Sequence, residues 1–460
     1  MEIPLTGHLA SFCTELHYEA LAPEVVDRAR YFFLDYLGVA VRGSLSDSSQ
    51  PLYRIAQTLA PAGAGTVLGR TQKTTLPYAA LANGTAAHSL ELDDTHQGGS
   101  IHLGVSVFSA ALALAESIGA SGKEFLTASV AGFEVAARLA MALKPADHYA
   151  RGFHPTATCG TFGAAASAAR LLHLNERQFL SALGIAGSQS AGSMEFLTAG
   201  AWTKRFHPGW AAFSGLHAAL LAKEGFIGPT TILEGRDGFL KAYAVNPDPS
   251  KITQGLGVDF QILQTAVKPH ACCRYTQAPI DAVLKVVHEH DIQPQQVEQV
   301  TIGMLETGIP VICEPADRKS RPTNVVEAQF SLPFGVAVAL AKRQAGLDEF
   351  TETMLHDPEI GALMAKVDYE HDPALEHNYP KEWPAWAKVK LQDGREVFAQ
   401  VRFPKGDPEN PLSWDQLTDK YRELVKSVWD APQTEGVCHA VKQLEDAVDM
   451  RDFTHSLYME

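Results

Sequence analysis

The stretch from His88 to Gly104, H-S-L-E-L-D-D-T-H-Q-G-G-S-I-H-L-G, sets three carboxylates (Glu91, Asp93, Asp94), a hydroxyl (Thr95) and three imidazoles (His88, His96, His102) within fifteen residues. Ala- and Leu-rich segments flank it on both sides. Polar groups crowded between apolar helices are costly to bury unless they pair. A carboxylate beside an imidazole is one such pairing: it orients the ring and tunes its pKa for moving a proton. Two other readings fit the same residues. One is a solvated turn at a helix C-terminus, although the helix dipole disfavours acids there. The other is a magnesium site on the adjacent aspartates, for which no second acidic motif occurs downstream.

Three more segments carry groups suited to the same chemistry. In G-F-H-P-T-A-T-C-G-T-F-G, Gly152 to Gly163, His154 precedes Pro155, which holds its backbone extended just ahead of a helix. Thr156 or Thr158 could cap that helix, and its free N–H groups could bind an anion. In G-A-W-T-K-R-F-H-P-G-W, Gly200 to Trp210, Lys204, Arg205 and His207 are expected between apolar helices and shielded by two tryptophans. That suits carboxylate binding, with Lys204 also able to donate a proton. In V-K-P-H-A-C-C-R-Y-T-Q, Val267 to Gln277, Lys268, His270, Arg274 and Tyr275 stand where two domains meet and could close over a ligand. The plainer readings are a capped helix with an incidental His, a basic surface turn, and vicinal cysteines that only pack. G-A-G-T-V-L-G, Gly63 to Gly69, lacks the spacing and strand-to-helix setting of a phosphate loop.

The elements that must position these groups are mostly helices. Helical spacing marks 23–43, 78–88, 105–118, 122–143, 160–172, 176–189 and 210–224. Many are rich in Ala and Gly, which lets helices approach closely. Alternation of period two is nearly absent before residue 260, so this part reads as all helical. Beyond it, 297–304, 387–391 and 396–403 read as strands, the last two joined at Asp393-Gly394 as a hairpin. Helices are expected at 279–290, 325–343 and 358–367, and Ser413 with Gln416 forms a capping box for another. The fold class expected is mostly α: a large helical domain over 1–262, completed by 405–460, and a smaller α+β lid domain over 263–404.

The chain has 460 residues and a formal charge of −15, from 38 basic and 53 acidic residues. This argues against a nucleic-acid-binding body and favours a cytoplasmic protein. Six cysteines without C-x-x-C spacing build neither a disulfide framework nor a zinc site. The N-terminus has no basic region followed by an apolar core, so no signal peptide is expected. Apolar runs such as 105–115 fall short of the roughly 20 residues that span a bilayer, so no membrane partner is expected.

Taken together, the four segments resemble the MmgE/PrpD family, which includes 2-methylcitrate dehydratase, cis-aconitate decarboxylase and iminodisuccinate epimerase. L-D-Y-L-G-V (Leu34–Val39), R-P-T-N-V-V-E-A-Q-F-S-L-P-F (Arg321–Phe334) and the N-P-L-S-W break (Asn410–Trp414) extend the likeness over most of the chain, in the expected order. The resemblance implies a helical domain with a lid, a homodimer, a site in the cleft between domains, and no metal or organic cofactor. Matching the decarboxylase branch motif by motif implies catalytic roles for Glu91, Thr95, His102, His154 and Lys204. Two positions depart from that branch: Glu91 stands where it has Asp, and Gln277 where it has His. Glutamine cannot exchange a proton near neutral pH, though it can hold a carboxylate by hydrogen bonds.

The chemistry expected is proton transfer at carbon next to a carboxylate of a small di- or tricarboxylic acid. His102 and His154 form the acid/base pair, Glu91, Asp93 or Asp94 orients one of them, and Lys204 neutralises developing charge. Asp94, His207, Lys268, Arg274, Tyr275 and Gln277 are expected to bind substrate. Dehydration of a 2-methylcitrate-like acid leads, followed by epimerisation of an iminodisuccinate-like diacid and then decarboxylation. The rival from another class is a non-catalytic helical binding protein.

Overall fold

The computed structural model describes residues 4–198 and 200–458. Helix makes up 59% of the chain and the sheets are few and small, so the fold is mostly α. The chain divides into two compact units: Met1–Ser89, Asp93–Thr265 and Ser413–Glu460 form the larger, and Leu90–Leu92 with Ala266–Leu412 the smaller.

Six helices of the larger unit matter for the site: α1 (Pro23–Gly43), α2 (Leu76–Ala87), α3 (Gly104–Ile118), α4 (Gly122–Leu143), α5 (Pro155–Leu171) and α6 (Thr203–Lys223). Helix α4 starts at a capping box, in which the Ser121 hydroxyl accepts the Glu124 N–H and the Glu124 carboxylate accepts the Ser121 N–H. Helix α5 packs against α3, α4 and α6, and α6 also lies on α2. Small residues let these axes approach. A Cβ placed on Gly84 of α2 would come within 2.8 Å of the Gly209 Cα on α6, and one on Gly209 within 2.3 Å of the Leu81 carbonyl oxygen. That crossing brings the end of α2 to the start of α6. Helix Trp414–Val425, capped by Ser413, packs back on α1 of the same unit, where Lys420 Nζ meets the buried Asp35 at 2.6 Å.

The smaller unit holds a four-stranded sheet of β1 (Val297–Met304), β2 (Val367–His371), β3 (Ala385–Leu391) and β4 (Glu396–Val401). Its order is β2-β1-β3-β4, with β1 and β2 parallel and the other pairs antiparallel. The β3–β4 hairpin turns through Gly394, whose φ of 88° lies in the left-handed region. Helix Arg274–His290 lies on β3 and β4 and packs against Leu332–Lys342.

Several sequence expectations need correction. Helix α6 starts at Thr203 rather than 210, running through Pro208, so Lys204, Arg205 and His207 lie in its first turns and not between helices. Helix Arg274–His290 likewise starts ahead of Pro279. The expected helix 325–343 is two, Val325–Gln329 and Leu332–Lys342, because Ser331 caps a fresh start at Pro333. The helix expected over 358–367 ends at Met364, and Val367–His371 form β2. The first 260 residues are not wholly helical: Gly65–Thr66 pairs with Lys73–Thr74, and Thr66 is anchored on Glu116. Helix α4 is long and apolar enough to cross a membrane by length and composition, contrary to the expectation that no apolar run is, but 94% of its most apolar stretch is buried within the protein.

Candidate active site

Within the larger unit, the polar groups gather where α2 ends and α3, α5 and α6 begin. His88 occupies the C-cap of α2 and His154 the N-cap of α5. The His154 backbone is extended before Pro155, and its N–H donates to the Gly192 carbonyl. His102 lies two residues before α3, and its N–H donates to Thr156 Oγ1 at 3.2 Å. Thr156 is therefore not the cap expected for α5, and the Thr158 hydroxyl is shared between the His154 carbonyl and His148.

Asp94 organises the start of α3. Its carboxylate accepts the N–H groups of Leu103 and Gly104 at 3.0–3.1 Å, so the side chain expected to bind substrate is spent on backbone. Burial first, and the charge of Asp93 next, push its carboxyl up to about 8. Its main-chain carbonyl lies 2.7 Å from His102 Nδ1, which places the ring hydrogen there and the lone pair on Nε2. Thr95 Oγ1 lies 3.3 Å from the same nitrogen, and Asp93 Oδ2 lies 3.1 Å from it.

Asp93 also meets His88: Oδ2 is 2.6 Å from Nδ1 of that fully buried ring. The ring centroids of His88 and His102 are 4.8 Å apart, and those of His88 and His154 5.9 Å. His154 Nδ1 is 3.0 Å from His207 Nδ1, so one of these rings donates and the other accepts. Lys204 is buried with them, at 6% exposure. Burial holds His88 at about 4, with the Lys204 charge adding to the effect against Asp93. Burial and then the neighbouring imidazoles do the same to His207, at about 4, and hold His154 well below the ordinary value. These three rings are neutral at pH 7. Arg205, by contrast, reaches Ser48. Beside His207 opens a cavity of about 640 Å³ lined mainly by Ala191, Phe196, Ala201, Phe206 and Trp210.

His88, His102 and His154 each present one nitrogen, all within 4.8 Å of one another. A tetrahedral zinc ion bonded at about 2.0–2.1 Å would need its nitrogens roughly 3.3 Å apart, so the cluster would have to contract to hold one. Asp93 engages Nδ1 of His88, a contact that a metal-bound imidazole would also make, so it is the spacing of the nitrogens that favours proton exchange over metal ligation.

The smaller unit holds the remaining candidates. Glu91, at φ 56°, places Oε2 3.5 Å from the fully buried Lys268 Nζ. Arg274 is paired with buried Asp407 and lies over the Trp383 ring. The Tyr275 hydroxyl meets that of Tyr379 at 3.0 Å. Gln277 is fully buried, donates to the His270 and Cys272 carbonyls, and accepts the His270 N–H. His270 itself pairs with Asp281. Burial raises the Cys272 thiol well above its usual range, which suits a packing role.

Sequence reasoning assigned His88 no role and did not show that the Asp94 carboxylate meets the Leu103 and Gly104 N–H groups. The signal for His88 was its position at the end of α2, directly before the acidic turn.

Residues 7–251 match the N-terminal domain of the MmgE/PrpD family and residues 270–445 match its C-terminal domain. The chain belongs to the MmgE/PrpD family. Among its MmgE/PrpD relatives, a cis-aconitate decarboxylase-like protein oryM of Aspergillus oryzae is 29% identical over 97% of this chain and 96% of the relative. A cis-aconitate decarboxylase of Aspergillus terreus is 27% identical over 96% and 92%. One of Homo sapiens is 27% identical over 95% and 92%. The likeness to these MmgE/PrpD proteins therefore runs end to end and includes every segment described above.

Proposed function

We propose that this chain is a cofactor-independent lyase acting by proton transfer at carbon next to a carboxylate, and that it decarboxylates a small unsaturated tricarboxylic acid of the cis-aconitate type. The observation that carries the reading is the buried cluster of His102, His154 and Lys204, in which the Asp94 carbonyl holds the His102 ring hydrogen at Nδ1 and leaves the lone pair at Nε2. The relatives' names support decarboxylation among the reactions open to such a cluster, and we place it ahead of the dehydration favoured from sequence alone.

In this reading the bond between carbon and a carboxylate breaks and carbon dioxide leaves. The electron pair remains on the substrate, where the Lys204 ammonium offsets its charge. An imidazole of the cluster, protonated as the anionic substrate binds, then delivers that proton to carbon. Thr95 and Asp93 hold His102 in register.

A second reading, dehydration of a 2-methylcitrate-like acid, is favoured by one observation. His88, His154 and His207 are held neutral, which makes them ready bases for removing a C–H proton. Incubation with a panel of di- and tricarboxylates, followed by NMR, separates the two. Carbon dioxide release supports the first reading and water loss the second. Deuterium uptake from D₂O without net change would mean an epimerase. No reaction or exchange with any acid would favour a binding protein.

A homodimer belongs to the same proposal. Leu197, Trp202 and Trp210 are exposed, and Phe206, Trp210 and Phe213 stack along one face of α6. Light scattering at about twice the chain mass of 49.7 kDa is expected.

A further inference from the structure

His88 is wholly buried at the end of α2, 2.6 Å from the Asp93 carboxylate through Nδ1. That separation is a charge-assisted hydrogen bond, so Nδ1 carries the hydrogen and Nε2 the lone pair. Nε2 has no hydrogen-bond partner.

Structural histidines of the same unit behave differently. His96 accepts the Gly99 N–H at Nδ1 and reaches Gln261 with Nε2. His148 donates to the Tyr243 carbonyl and also meets the Thr158 hydroxyl. A ring that served only to hold the turn would spend both nitrogens in this way, because buried polar atoms are nearly always paired. The His88 ring instead packs against His102 and His154. Its carboxylate partner also faces His102 Nδ1 at 3.1 Å, so one Asp93 oxygen serves two imidazoles.

We propose that His88, backed by Asp93, is itself a catalytic proton carrier, exchanging a proton with substrate carbon through Nε2. This rests on the reading that the site moves a proton beside a carboxylate. In decarboxylation, the neutral ring first takes a solvent proton at Nε2 as the anionic substrate binds beside it. The carbon that keeps the C–C electron pair then takes that proton, and the ring returns to its neutral form as product leaves. In dehydration the ring starts neutral and accepts the C–H proton at Nε2. The electron pair passes into the substrate, and the proton goes on to the departing hydroxyl. In either direction the imidazolium charge is offset by Asp93, with Nδ1–H held on the carboxylate throughout.

Two variants and one spectroscopic measurement test this. His88→Gln and His88→Ala are expected to bind cis-aconitate within about threefold of wild type by calorimetry, while turnover falls on the order of 100-fold or more. Added imidazole should restore turnover to His88→Ala but not to His88→Gln, and Asp93→Asn combined with His88→Gln should cost less than the sum of the two single changes, the remainder reflecting the contact of Asp93 with His102. Nitrogen-15 NMR of the wild type should show the Nδ1–H tautomer at His88. A well-folded His88→Gln that turns over within threefold of wild type would overturn the proposal, as would an Nε2–H tautomer. Should His88→Ala not fold, His88→Gln and the tautomer decide. A wild type inert toward every carboxylic acid is a different failure, that of the lyase reading itself.

Discussion

The main-chain carbonyl of Asp94 accepts Nδ1–H of His102 at 2.7 Å, while the side chain of the same Asp94 caps the backbone at Leu103 and Gly104. One residue therefore fixes both the tautomer of the imidazole and the start of the helix that follows it. Asp94→Ala removes the carboxylate and leaves two buried N–H groups without their acceptor. A stability loss of about 1–3 kcal/mol is expected from thermal melts. Turnover should fall more than KM rises, because the His102 ring loses its register while the neighbouring groups stay.

Lys204 is a cation buried among neutral imidazoles, and its charge is expected to act mainly on the electron pair left on the substrate. Lys204→Met should retain the fold and lose on the order of 100-fold or more in kcat/KM. Lys204→Arg should recover little of it, since a planar guanidinium does not replace a compact ammonium at a packed position. Full turnover by a folded Lys204→Met would remove Lys204 from the mechanism.

Glu91 and Lys268 form an ion pair inside the smaller unit, with Lys268 fully buried. Removing the carboxylate alone leaves a buried ammonium with less compensation. Glu91→Ala is expected to destabilise by about 3–5 kcal/mol. Glu91→Ala combined with Lys268→Met should cost less than Glu91→Ala alone, a non-additivity that a double-mutant cycle of melts will show.

The sequence carried much of the helical frame because its signals are local. The spans Pro23–Gly43 and Gly122–Leu143, and the capped start at Trp414, follow from apolar spacing and end residues. The hairpin at Gly394 follows from turn chemistry. Helix α6 was misplaced because Pro208 reads as a breaker, yet its ring is accommodated inside the helix. Strand β2 was missed because it is only five residues long and closely follows a helix, although V-D-Y-E alternates apolar and polar residues. At the site, the residue types of the acidic turn were legible, but their partners were not. Whether Asp94 faces a ligand or the backbone, and which nitrogen of His88 meets Asp93, depends on how α2, α3, α5 and α6 cross. The close approaches of Gly84 to Gly209 and of Gly215 to Thr161 and Ala165 set those crossings.

Stability should depend on pH in a defined way. Burial holds His88, His96, His148 and His207 at about 4 and His154 well below its ordinary value. Between pH 6.5 and 4 the unfolded chain takes up protons that these folded rings refuse, so acid favours unfolding there. Asp94 at about 8 and Glu134 at about 7, both raised by burial, act in the opposite sense, since the folded state keeps their protons. Five imidazoles outweigh two carboxyls. The melting temperature is expected to peak near pH 6.5–7, to fall steeply toward pH 4.5 and to fall slightly toward pH 8. His96→Gln, away from the His88–His154 cluster, should flatten the acid limb. A melting temperature that rises steadily from pH 7 to 4.5 would contradict these assignments.

The central claim, that the imidazole cluster delivers a proton to carbon beside a carboxylate, is tested most directly in D₂O. Wild type incubated with cis-aconitate should release carbon dioxide and leave one solvent deuterium on the product carbon, read by NMR. His102→Gln should bind the acid and do neither at a comparable rate. Carbon dioxide release with undiminished deuterium incorporation by a folded His102→Gln, or no reaction of wild type with any di- or tricarboxylate, would contradict the account.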